Sequence, residues 1–298
     1  MRWVRTYHHD EVVSGAYRRA LIISLSGNLL LAIIKGLAAF ISGSAAVYAD
    51  AINSISDVLY SILLIVGLWM ALRPPDHSHP QGHSRFEPFA ALFVTLTMAF
   101  AGFEAGRSSI LRFINGTEPL TLGIPLVILA VSVGIKVFMF ISIKKAAVRA
   151  SSPGLEAAAG DNISDVTTSI AAAIGITGAN FVHPLLDPVF GLLVSIWIFK
   201  SVIELAKENL GYLTGAGADP EMLEEFRASV AAIKGVENVH HVITEFVGPK
   251  LIVDMHINVD GDLTLNEAHN ICDAATEKLE KFAQVDRAYV HVEPIGYQ

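Results

Sequence analysis

Hydrophobic residues along this chain come in long blocks rather than in the short alternations of a soluble protein. Six blocks reach or approach the length of about 20 helical residues that a hydrocarbon core requires: Ala20–Ile41, Ala45–Leu72, Pro88–Leu111, Leu122–Ile143, Leu155–Val182 and Val189–Leu205. The pattern predicts a membrane-embedded, all-α bundle of six transmembrane helices. The first block is too long, and too far from a small-residue cleavage site, for a signal peptide, so it is expected to stay in the mature protein.

From about Leu213 the pattern changes. "DPEMLEEFRASVAAIKG" has amphipathic helical spacing, with Asp219 and Pro220 as N-cap and first-turn residues. "VHHVITEFVG" and "LIVDMHINVD" alternate as half-buried strands do, and Gly248 and Pro249 between them read as a hairpin turn. "TLNEAHNICDAATEKLEKF" is a second helix opened by a Thr264 to Glu267 capping box, and "DRAYVHVEP" is a third strand. The expected organisation is a transmembrane domain over residues 1–212, with a His-rich loop at 73–87, followed by a cytoplasmic α/β domain of order α-β-β-α-β over 213–298.

Composition agrees with the membrane reading: 52% of 298 residues are hydrophobic and only 17% are charged. Charge also orients the spans. Arg2, Arg5, Arg18 and Arg19 precede the first span, Arg73 and Arg85 flank the second loop, and Lys144, Lys145 and Arg149 fill the fourth, against Arg107 and Arg112 near the third. By the positive-inside rule both termini are cytoplasmic. The part from Leu213 onward has 15 acidic and 6 basic residues, a net −9, leaving +1 for the spans. Such an acidic domain argues against nucleic acid as a partner and is compatible with cations. The single cysteine, Cys272, excludes an intrachain disulfide and any multi-cysteine zinc site.

Candidate chemistry lies inside the spans. "GDNISDVTT" in the fifth block places Asp161 and Asp165 four residues apart, on one helix face, and "YADAINSISDVLYS" in the second does the same for Asn53 and Asp57, with Asp50 one turn earlier. Intramembrane carboxylates cost roughly 2.5 to 3.5 kcal/mol each at a helix centre and default to bundle interiors, cavities or ion paths. If the two helices face each other, four oxygen-bearing side chains converge around one divalent cation. The competing readings are an ion pair between one carboxylate and Lys35 or Lys136, and Asn53 as a helix-helix hydrogen bonder. A metalloprotease would need a glutamate base that "HPQGH" lacks, and no glycine-rich phosphate loop is visible, so no enzymatic activity is expected.

The six spans, the two polar pairs, the His-rich loop and the α/β domain together resemble the cation diffusion facilitator family of metal exporters. The resemblance implies a metallochaperone-like cytoplasmic domain, a homodimer in the cell (inner) membrane, and export of metal from the cytoplasm by alternating access in exchange for protons. The family's transport site falls on Asn53, Asp57, Asp161 and Asp165, its loop site on Asp76, His79 and His83, and its cytoplasmic site on His240, His256, His269, His291 and Glu293. His240 and His241 cannot share one face of a regular strand, so His241 is expected to be peripheral. Zinc exporters of the family carry His where Asp161 stands. An all-oxygen set suits magnesium, calcium or manganese better than zinc, and this set looks like the manganese-exporting branch. Mn2+ is thus the expected cargo, with Fe2+ or Zn2+ as alternatives, and no resident cofactor. A divalent-cation channel without proton coupling is the rival class. Thr214 stands near the position where some members place an acid opposite the base at Arg85, so an interlocking salt bridge there is not expected.

Overall fold

The structure is a computed structural model that describes residues 11–42, 45–115 and 124–296; within the helices, the side chains of residues 45–53 and a few others lie outside the description. Six long helices come first: α1 (Glu11–Ser42), α2 (Ala45–Ala71), α3 (Phe86–Asn115), α4 (Ile124–Ala150), α5 (Pro153–Phe181) and α6 (Leu186–Thr214). Among the described residues, α1 to α4 and α6 are long and apolar enough to cross a membrane. The sixth, α5, owes its lower hydropathy to Glu156, Asp161, Asp165 and a run of hydroxyl residues.

α1 packs against α2 and α4, α5 against α4 and α3, and α2 against α3. The packed seam is made of small residues on α5, where Ala157, Ala158 and Ala159 are buried, set against Leu64, Leu68, Met139 and Ile143 of the neighbouring helices. The outer faces keep large apolar side chains such as Leu37, Phe93 and Phe138 exposed, as lipid-facing surfaces do. α6 meets α3 at Gly102 and Gly106, where an added Cβ would lie 2.9 Å from Ile198 and 2.7 Å from the Ser195 hydroxyl. This is the small-residue spacing that lets membrane helices approach closely.

Glu87, at the start of α3, is buried and ties three helices together. Its carboxylate accepts hydrogen bonds from the Tyr17 hydroxyl at 2.7 Å, from the Ser152 hydroxyl and from the Gly154 N–H at 3.4 Å. Ser152 is the N-cap of α5 and its oxygen also accepts from Leu155 N–H.

Residues 210–298 form a second compact unit. It contains α7 (Pro220–Ala231), β1 (Asn238–Val247), β2 (Lys250–Val259), α8 (Leu265–Glu280) and β3 (Val285–Pro294). β1 and β2 form an antiparallel hairpin turned at Gly248, whose φ of 69° favours glycine. β3 pairs parallel to β2, with α8 as the crossover. Asp219 caps α7 and the Thr264–Glu267 capping box opens α8, both as expected from the sequence. Leu251, Val253, Met255 and Ile257 of the central strand are buried in a core shared with Phe226, Ala275 and Leu279 of the two helices. The alternate residues, Asp254 and His256 among them, belong to the opposite and less covered face.

Candidate metal centres

In the spans, α2 and α5 bring Asp57, Asp161 and Asp165 together, each offering one oxygen within 4.8 Å of the others. The i, i+4 spacing on α5 accounts for two of them. The backbone of Asn53 lies one turn before Asp57 on α2, but its side chain, like that of Asp50, lies outside the described residues. Lys136 of α4 is also part of this cluster. Its Nζ lies 3.0 Å from Asp57 Oδ2, as a hydrogen bond, and 2.6 Å from Asp165 Oδ2, as a charge contact without the geometry of a directed hydrogen bond. The ion pair and the carboxylate cluster therefore coexist. They are not the alternatives that sequence reading set against each other.

A crevice beside the carboxylates is lined by Ser24, Asn28, Tyr60, Ser61 and Asn162 as well as Asp57 and Asp161. Asn28 donates to Ser61 Oγ at 2.9 Å and to the Asp57 carbonyl at 3.4 Å, leaving its own amide oxygen buried and unpartnered. Asn162 likewise spends its amide nitrogen on the Ala158 carbonyl at 2.7 Å and leaves its oxygen unpartnered. Sequence reading missed these oxygens. The available signal was Ser24 and Asn28, spaced i, i+4 on an otherwise apolar first span.

In the loop between α2 and α3, Asp76, His79 and His83 also converge, with ligand atoms within 4.8 Å of one another. His83 Nε2 lies 3.4 Å from Asp76 Oδ2 and His79 Nδ1 lies 3.6 Å from Asp76 Oδ1. The loop is held in shape: Asp76 Oδ1 accepts the backbone N–H groups of His79 at 2.7 Å and Ser78 at 2.9 Å. These bonds, that from His79 first, hold the Asp76 carboxyl below the usual carboxylate range, which keeps it ionised as a ligand until pH falls through that lowered value. His83 is buried and its ring stacks on Phe86 at 5.9 Å.

In the second unit, residues 210–298, Glu293 gathers three histidines. Its carboxylate oxygens lie 3.2 Å from His240 Nε2, 3.3 Å from His256 Nδ1 and 3.4 Å from His291 Nε2. The length of the glutamate chain is what reaches all three. His269, by contrast, pairs with Asp273 on its own helix at 3.6 Å and lies outside the His240, His256 and Glu293 group. His241 differs from expectation: its ring centroid is 4.4 Å from that of His256, closer than His240 at 5.7 Å. The reason is a register shift between Val239 and His241, a β-bulge that breaks the two-residue alternation and puts both histidines beside the same partner. Thr214 donates its hydroxyl to the Leu210 carbonyl at 2.8 Å within α6.

Residues 21–214 match the family of cation efflux transmembrane domains, and residues 218–295 match the cation efflux protein cytoplasmic domain. The chain belongs to the cation efflux family. It is a membrane protein and a divalent metal transporter. An uncharacterised transporter of Methanocaldococcus jannaschii is 32% identical over 275 residues, 92% of this chain and 97% of that one. The manganese efflux system protein MneS of Bacillus subtilis is 30% identical, covering 96% and 98% of the two chains. A solved structure of the MamM CTD covers 26% of this chain and 99% of its own, at 27% identity and a TM-score of 0.24. The family assignment makes the convergence of charged groups inside the spans a question of cargo.

Proposed function

We infer that this cation efflux protein exports Mn2+ from the cytoplasm in exchange for protons, working as a homodimer in the cell membrane by alternating access, with both termini cytoplasmic. The observation that carries this reading is the meeting of Asp57, Asp161 and Asp165 inside the span bundle, with no imidazole or thiolate among them. Oxygen-only ligands suit a hard, partly hydrated cation. Asn53 completes the proposed set as a fourth oxygen donor. The relatedness to a manganese efflux protein of Bacillus subtilis supports the same cargo.

Proton exchange follows from ligand chemistry, because a carboxylate binds metal only when ionised and metal and proton compete for it. Acidifying the metal-accepting side should weaken uptake. The deciding measurement is Mn2+ flux into proteoliposomes with and without an imposed pH gradient. Flux that responds to the gradient supports the antiporter, whereas flux indifferent to it selects a channel. Asp57→Ala and Asp165→Ala should each abolish flux in a folded protein, and near-normal flux in either would remove these residues from the transport site.

A further inference from the structure

The ammonium of Lys136 occupies the oxygens that a transported ion would need. It is buried on α4, 3.0 Å from Asp57 Oδ2 and 2.6 Å from Asp165 Oδ2. Asp161, the third carboxylate of the cluster, makes no ion pair among the described residues. Metal-oxygen bonds run at about 2.0 to 2.2 Å for carboxylates, so an ion bound to Asp57 and Asp165 would stand within a few ångströms of Nζ. Two cations that close, away from bulk water, repel strongly. Lysine and metal therefore exclude each other at these two carboxylates.

We propose that Lys136 is an exchangeable internal cation of the transport site: it holds Asp57 and Asp165 when no metal is bound and gives way when metal enters. The proposal rests on the reading of these aspartates as the transport site. Asp161 supplies the first foothold for an incoming ion because the ammonium leaves it unpaired. Withdrawal of the lysine has a place to end. Ser132 lies four residues earlier on α4, on the same helix face, and its hydroxyl is buried without a hydrogen-bond partner. Side chains on a helix lean toward its N-terminus, which carries the lysine stem over the turn that bears Ser132.

This role has a purpose in transport that simple structural pairing lacks. Three carboxylates without a cation are costly in a membrane, and a tethered ammonium stabilises the empty site between cycles. It also weakens metal binding, because apparent affinity falls by the fraction of time that the site is competent. Weak binding helps release: the returning ammonium displaces the ion. Selectivity follows as well, since an ion must offset the loss of two buried charge contacts to enter, which a monovalent cation does poorly.

The test uses the full-length protein in nanodiscs, titrated with Mn2+, together with Mn2+ uptake in proteoliposomes. The site of interest is identified as the one lost in Asp57→Ala and Asp165→Ala. In Lys136→Met and Lys136→Gln the Kd at that site should fall about tenfold or more, as expected if the lysine holds it nine-tenths of the time. KM for uptake should fall with it while Vmax also falls, because release loses its displacing cation. Lys136→Arg, which keeps the charge, should restore the Kd to near the wild-type value. A structural role alone would instead weaken binding. An unchanged or weaker Kd in both neutral variants, with the aspartate variants still losing the site, overturns the role of Lys136 and leaves the site reading standing. Failure of both neutral variants to fold even at saturating Mn2+ overturns it too, since an exchangeable cation is replaceable by the metal. If the aspartate variants keep the site, the transport-site reading itself fails, and the lysine proposal with it.

Discussion

Asp161 is the position at which a single substitution tests the choice of metal at the proposed transport site. Its carboxylate joins those of Asp57 and Asp165 to leave an oxygen-only cluster, and replacing it with imidazole supplies the nitrogen that zinc favours in a tetrahedral site. Zinc outranks manganese for most ligand sets, so discrimination lies in which loaded site completes the cycle. Asp161→His should shift the ratio of Zn2+ to Mn2+ transport upward by about tenfold, on the order of 1.4 kcal/mol of differential stabilisation. A competition flux assay with both metals reads this directly, and an unaltered ratio would separate selectivity from this position. The aspartates themselves were legible in the sequence, because two carboxylates at i, i+4 in an apolar segment are too costly in lipid to stand without a cation or a polar cavity. Lys136 was legible as a candidate partner of one carboxylate, but not as a contact of both Asp57 and Asp165. A lone lysine in a span does not reveal which neighbour its long chain reaches. The same holds for Asn28 and Asn162, whose unpartnered oxygens depend on helix rotation. His241 was misjudged for a local reason: alternation along a strand holds only where the register is regular, and the bulge after Val239 is invisible in the residue pattern.

Helices and strands were far more readable than their ends. Each of the six apolar blocks became a helix, yet α1 already includes Glu11, well before Ala20, and α6 runs to Thr214 rather than stopping near Leu205. Hydropathy marks the part of a helix that lipid covers, while backbone hydrogen bonding continues beyond it into water. The caps of α7 and α8 were placed correctly because capping is a local matter of side chain and nearby N–H. Thr264→Ala removes one half of a reciprocal pair and should cost about 1 kcal/mol in urea unfolding of the cytoplasmic unit. The junction of α1, α3 and α5 was not foreseen, since Glu87, Tyr17 and Ser152 are far apart in sequence. Glu87→Ala leaves the Tyr17 and Ser152 hydroxyls buried without their acceptor. About 1 to 3 kcal/mol should be lost for such unsatisfied groups, read as a lower melting temperature of the full-length protein in detergent. A melting temperature equal to wild type would show that these groups find water instead.

At the scale of the whole molecule, one carboxylate gathers three histidines, a candidate metal site, on the less covered face of an acidic domain. From Leu213 onward the chain carries −9, so two copies of this domain repel at low ionic strength until cations intervene. Glu293 lies within 3.4 Å of a ring nitrogen from each of His240, His256 and His291, and α7 and α8 pack on the other face of the sheet. A divalent ion held there neutralises part of the repulsion where a second copy can approach. Mn2+ should therefore shift residues 210–298 from monomer toward dimer in sedimentation experiments. His240→Ala combined with His256→Ala should remove both the bound metal and the shift, and Glu293→Ala should do nearly the same, because its carboxylate is the group all three histidines share. In the full-length protein these variants should lower the rate of Mn2+ flux by a few-fold without abolishing it, since the proposed crossing point is the separate cluster of Asp57, Asp161 and Asp165. Unchanged metal stoichiometry in the doubly substituted domain would rule the cluster out as a binding site. Complete loss of flux would instead make it a required station on the ion's path.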